Sequence, residues 1–347
     1  MRHLILHIGM HKTGTSTIQQ ALFRGRETAA EAGVWYFDER PGNHSEAVKI
    51  AFAEELASRS ALRSFADAEG LPAAAAAMRD KIARFLDASP GPLLVISGEG
   101  MLGLASADVA RLMAFMTARV DRVTVYAMVR PPRSLAVSRL QQHDRKGSPI
   151  IGLNRVSMPF YRRRFEAWIA AAGDRMMLRR YSPVDLRDGC SLTTFLHDIG
   201  APPELRLALD APRTNVSRPA LALALIVAAG PQLGPRVARL LGDLSGPPLT
   251  VPAAVLAREL RDADAEPDIA WMEAQLGRSF ADLEPEVPAA ELESAPTLTD
   301  WLQRQLGSVS GSDLNRLAAF LLAQLANPAP PVTARERAER TLSQPVS

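Results

Sequence analysis

Short apolar runs, set off by glycine, proline and polar clusters, organise the first half of the chain. Residues 4–8 (LILHI), 93–96 (LLVI) and 123–129 (VTVYAMV) are apolar almost throughout, as expected of parallel strands buried on both faces. Residues 33–37 (GVWYF) and 176–181 read as two further strands. Between these runs the apolar spacing turns helical: from Ile18, over 45–64, 72–86 and 106–119, through Ser138 to about 143, and over 158–172. The alanine-rich stretch 72–86 also favours helix by propensity. Strands alternating with helices predict an α/β fold, three-layer α/β/α with a central parallel sheet. Beyond residue 210 no strand pattern recurs, and helical segments at 219–229, 235–244, 252–261, 269–277, 298–306 and 312–325 are separated by proline and glycine. The expected division is therefore an α/β domain over 1–210, a helical extension over 211–326, and a proline-rich tail over 327–347 that is expected to be mobile.

Composition narrows the classes. The 40 basic and 38 acidic residues leave a net charge of +2, too little for a nucleic-acid binder that relies on a large positive surface. Cys190 is the only cysteine, so no internal disulfide forms, which fits a reducing compartment and a cytoplasmic location. The glycine loop begins within ten residues of Met1, leaving no room for a signal-peptide core. The longest apolar stretch, 219–230, falls short of the about 20 residues a membrane span needs. Of the basic residues only Lys12, Lys49, Lys81 and Lys146 are lysine, and one of them stands inside the glycine loop.

That loop, residues 9–17 (GMHKTGTST), joins the first strand to the first helix. Such a junction aims backbone N–H groups and the positive end of a helix dipole at one point, which suits a phosphate or sulfate. Gly9 and Gly14 have the spacing of the nucleotide-binding P-loop, but Thr15 stands where GxxxxGK[ST] requires lysine, and the lysine is displaced to Lys12. An ATP-handling P-loop also needs an acidic residue near a strand end to help hold Mg²⁺. Here the two best buried strands run into Ser97-Gly98-Glu99 and into Arg130.

The loop Lys12-Thr13-Gly14-Thr15-Ser16-Thr17, followed by Arg130 and Ser138 after a buried strand, resembles the sulfotransferases that use 3′-phosphoadenosine 5′-phosphosulfate, PAPS. The resemblance covers about residues 1–220, with family-like pieces at 181–200 and 213–217. It implies a P-loop-like fold and transfer of a sulfuryl group from PAPS to a hydroxyl or amine of a carbohydrate or small metabolite, without a metal. Lys12, Thr13, Gly14, Thr15, Ser16 and Thr17 would hold the 5′-phosphosulfate, Arg130 and Ser138 the 3′-phosphate, and Arg213 would close over the nucleotide. Lys12 would stabilise charge on the leaving phosphate, and His11 would contact the leaving group or face solvent. The acceptor proton calls for a base, for which His44 and Glu99 are the candidates. Two alternatives stand beside this expectation: a divergent P-loop kinase or NTPase, and a catalytically degenerate nucleotide-binding module that engages a partner through its helical end. Oligomeric state is left open.

Overall fold

The computed structural model describes residues 1–39, 42–54, 70–145, 158–209, 222 and 250–307. Five strands form one sheet: β1 (His3–Gly9), β2 (Val34–Tyr36), β3 (Leu93–Ser97), β4 (Arg122–Val129) and β5 (Met176–Arg180), in the order β2-β3-β1-β4-β5. Every neighbouring pair is parallel. Helices α1 (Thr15–Arg24), α2 (Arg26–Glu31), α3 (Ser45–Phe52), α4 (Leu71–Ala88), α5 (Ser106–Thr117) and α6 (Pro132–Arg145) follow the alternation that the sequence predicts. The fold is α/β, with an all-parallel central sheet flanked by helices.

β1 is central because its side chains are apolar on both faces. Leu4, Leu6 and Ile8 are fully buried on one face, while Ile5 on the other packs with Ile18 and Leu22 of α1, Val95 of β3, and Tyr126 and Met128 of β4. Burying each such side chain contributes about 1.5–3 kcal/mol. The helix Ser191–Asp198 completes this cluster through Leu192, Phe195 and Leu196. Tyr126, Phe165 and Trp168 are fully buried in the core.

The described residues fall into two compact units. The first holds those of Met1–Arg130 and Phe160–Thr214, hence the whole sheet; the second holds those of Pro131–Pro159 and Asn215–Gln344. The second is helical where described, built from α6 and the helices Ala253–Asp262, Glu266–Leu276, Ala289–Ser294 and Leu298–Gly307. Its core joins Ala136 and Leu140 of α6 to Val255, Leu256, Trp301 and Leu302. Glu284 accepts the N–H groups of Arg133 and Ser134 at 2.9 and 2.8 Å and so caps the start of α6. The expected segments at 235–244 and 312–325, all of 219–229 but Ala222, the end of 45–64, Arg213 and the tail 327–347 lie outside the described residues. Among the described residues no helix is long and apolar enough to cross a membrane.

Candidate active site

The carboxyl ends of β1, β3 and β4 lead into the loop with Lys12, into Glu99 and into Arg130, at the edge where parallel α/β sheets bind ligands. Pairing of β1 with β4 shifts register between His7 and Gly9, and the chain turns out of the sheet there. Gly9, Lys12 and Gly14 take positive φ of 90°, 71° and 76°. Thr13 and Thr15 point inward, each donating its hydroxyl to the Met10 carbonyl, at 2.6 and 3.1 Å. Their side chains therefore fold the loop, and what they offer an anion is backbone N–H. Gly14 is the N-cap of α1, and no side chain caps that first turn. A first turn without a side-chain cap, opening from a glycine, is a cradle for an anion. Ser16 and Thr17 are half-buried at its rim.

Left-handed backbone at a lysine costs about 1–2 kcal/mol, so something must hold it. Arg130, at the end of β4, donates Nη1 to the Lys12 carbonyl at 2.7 Å. Its guanidinium also lies 5.4 Å from the ring centre of Tyr181, and its own carbonyl accepts the Tyr161 hydroxyl. Arg130 and Lys12, separate in sequence, are thus one structural element of the loop. Gly14 is held as tightly: a Cβ there would lie 2.2 Å from Ser191 Oγ and 2.6 Å from Ser191 Cβ. Gly14→Ala is expected to destabilise the fold by about 2 kcal/mol or more through αL strain and this collision, read as a lower urea midpoint; an unchanged midpoint would contradict the packing.

Glu99 flanks the loop from the other side. A Cβ on Gly9 would lie 2.5 Å from Glu99 Cβ, so Gly9 serves both the turn and the close approach of Glu99. The carboxylate is 16% exposed, and its Oε1 lies 4.0 Å from Nδ1 of His11, whose side chain is 39% exposed. Oε2 accepts N–H groups from Gln19 at 3.0 Å and Asn43 at 3.3 Å.

His44 behaves differently from its expected role. It is fully buried at the start of α3, against the rings of Tyr36 and Phe37 at 4.7 and 5.1 Å. Its Nδ1 accepts the backbone N–H of Ser97 at 3.0 Å, which leaves the hydrogen of the neutral ring on Nε2, a buried atom with no partner among the described residues. Burial lowers its pKa to about 3. A ring whose basic nitrogen is already engaged, and whose other nitrogen is enclosed, has no lone pair for an acceptor proton. His44 is a structural histidine under Ser97, and the base candidate at the surface of the site is Glu99. His7 on β1 is a second such residue: its Nδ1 lies 2.8 Å from Ser97 Oγ, its ring packs on Tyr126 and Phe195, and burial lowers its pKa to about 3.

Ser138 lies half-buried on α6, in the second unit. Gln19, Asn43, Ser97, Tyr181 and Ser191 were not singled out in the sequence. Only Ser97 carried a signal there, a polar residue closing an apolar run.

No protein-family model matches the chain, and no curated protein matches it in sequence. Among solved structures the chain is similar to a sulfotransferase domain from the curacin biosynthetic pathway, at 14% identity and a TM-score of 0.38, over 83% of this chain and 99% of that one.

Proposed function

We propose that the chain is a PAPS-dependent sulfotransferase whose reaction is centred on the loop after β1. The observation that carries this is the contact of Glu99 with Gly9: a partly exposed carboxylate stands directly beside an anion cradle whose first turn no side chain caps. A cradle alone holds an anion; a proton acceptor at its rim lets a hydroxyl or amine attack that anion.

In the reaction, the acceptor oxygen or nitrogen bonds to sulfur while the bond between sulfur and the 5′-phosphate oxygen breaks. The electron pair of the broken bond stays on that oxygen, giving adenosine 3′,5′-bisphosphate, and the acceptor proton passes to Glu99 and then to solvent. The backbone N–H groups of the first turn of α1 hold the phosphosulfate end. Lys12 stabilises the charge that develops on the leaving oxygen. Arg130 fixes Lys12 through its carbonyl, and its guanidinium has the planar fork that suits the 3′-phosphate. The sulfuryl group carries less negative charge than a terminal phosphoryl group, so the reaction has less need of a divalent cation.

Calorimetry with adenosine 3′,5′-bisphosphate in EDTA tests this directly. Binding at micromolar concentration without Mg²⁺ is expected; no binding, or binding of ATP that requires Mg²⁺, overturns the assignment in favour of a kinase-like P-loop protein.

A further inference from the structure

We propose that Gln19 and Asn43 are positioning residues for Glu99: their side-chain amides hold Oε2 and leave Oε1 as the oxygen that takes the acceptor proton. This rests on Glu99 being the base of the sulfuryl transfer proposed above. Gln19 Nε2 and Asn43 Nδ2 both donate to Oε2, at 3.0 and 3.3 Å. Among the described residues no donor lies within hydrogen-bond distance of Oε1, and His11 Nδ1 stands at 4.0 Å.

Each amide is itself fixed. Gln19 is buried on α1 and also donates to Ser97 Oγ at 3.2 Å, the hydroxyl that His7 meets from below. Asn43 turns its Oδ1 to the backbone N–H and hydroxyl of Ser45, at 3.0 and 2.6 Å, and Ser45 Oγ in turn accepts the N–H of Gly100 at 2.9 Å. The carboxylate is thereby bound through one oxygen from two sides and cannot rotate without breaking both bonds. A base held in one orientation gives its rate advantage through geometry, and the advantage disappears when the group can turn away. Two amides that merely satisfied a buried carboxylate would have no reason to share one oxygen and leave the other toward the loop.

The test is a double-mutant cycle on the full chain, read as cleavage of radiolabelled PAPS with water or glycerol as acceptor and as calorimetric affinity for adenosine 3′,5′-bisphosphate. Gln19→Met, which keeps side-chain length, and Asn43→Ala are each expected to slow cleavage about tenfold while nucleotide affinity stays within about twofold. In a Glu99→Gln background neither is expected to slow it further. Equal losses in both backgrounds, or a parallel loss of nucleotide affinity, overturn the positioning role and leave the transferase assignment standing. A Glu99→Gln variant that cleaves PAPS as fast as wild type removes Glu99 as base, and this proposal with it. A wild type that neither binds nor cleaves removes the proposed function as well. Should Gln19→Met not fold, the Asn43 arm of the cycle decides alone.

Discussion

Lowering the pH from 6.5 toward 3 is expected to destabilise the fold steeply, by up to about 2.7 kcal/mol per pH unit from His7 and His44 together. Both rings are neutral in the folded state because burial lowers each pKa from 6.5 to about 3. Above pH 6.5 neither folded nor unfolded chain protonates them, and stability is complete. As the pH falls below 6.5 the unfolded chain binds two protons that the folded chain refuses, so stability is lost progressively until the folded pKa near 3 is reached. Urea midpoints across this range measure the slope. His44→Asn isolates one ring, since the asparagine carbonyl oxygen can accept the Ser97 N–H yet does not titrate here; it is expected to lose about half of the histidine slope. Identical slopes in variant and wild type would show that His44 is not held neutral.

The second large effect is at Lys12. Lys12→Ala is expected to reduce sulfuryl transfer about 10²–10³-fold, the range for removing one preorganised group at a developing oxyanion, while PAPS affinity falls less than about tenfold. In the proposed role the lysine acts on charge that PAPS lacks and that grows on the leaving oxygen as the bond to sulfur breaks, so turnover is expected to suffer more than binding of PAPS. Backbone strain is separable from charge at this position. Lys12→Gly removes the penalty of φ 71° and is expected to be more stable than Lys12→Ala by about 1 kcal/mol, yet equally slow. Lys12→Arg is expected to recover little, because a planar fork does not replace a compact ammonium. Equal losses of turnover and PAPS affinity in Lys12→Ala would remove the transition-state role.

What was legible in the sequence depended on local physics. The strands of β1, β3 and β4 stand out because a strand buried on both faces must be apolar at nearly every position. The loop stands out because positive φ at Gly9 and Gly14 leaves a mark that sequence alone reveals. The same local logic does not show that His44 is buried. Its neighbours Pro41, Gly42 and Asn43 mark a surface turn, and nothing nearby in sequence announces that Ser97, 53 positions on, will cover it. The helix Ser191–Asp198 went unassigned, although its Ser191 packs on Gly14.

Sequence by itself therefore determined the α/β alternation and the place of the glycine loop, with its displaced lysine, between the first strand and the first helix. Tertiary structure alone decided which groups meet: Arg130 bracing Lys12 across 118 positions, Gln19 reaching Glu99 across 80, and His44 sealed beneath Ser97. The reason is physical. Periodicity and glycine conformations are properties of neighbouring residues, whereas a hydrogen bond between distant segments depends on the register of the sheet, which sets β1 beside β3 and β4 and so gathers their carboxyl ends into one site.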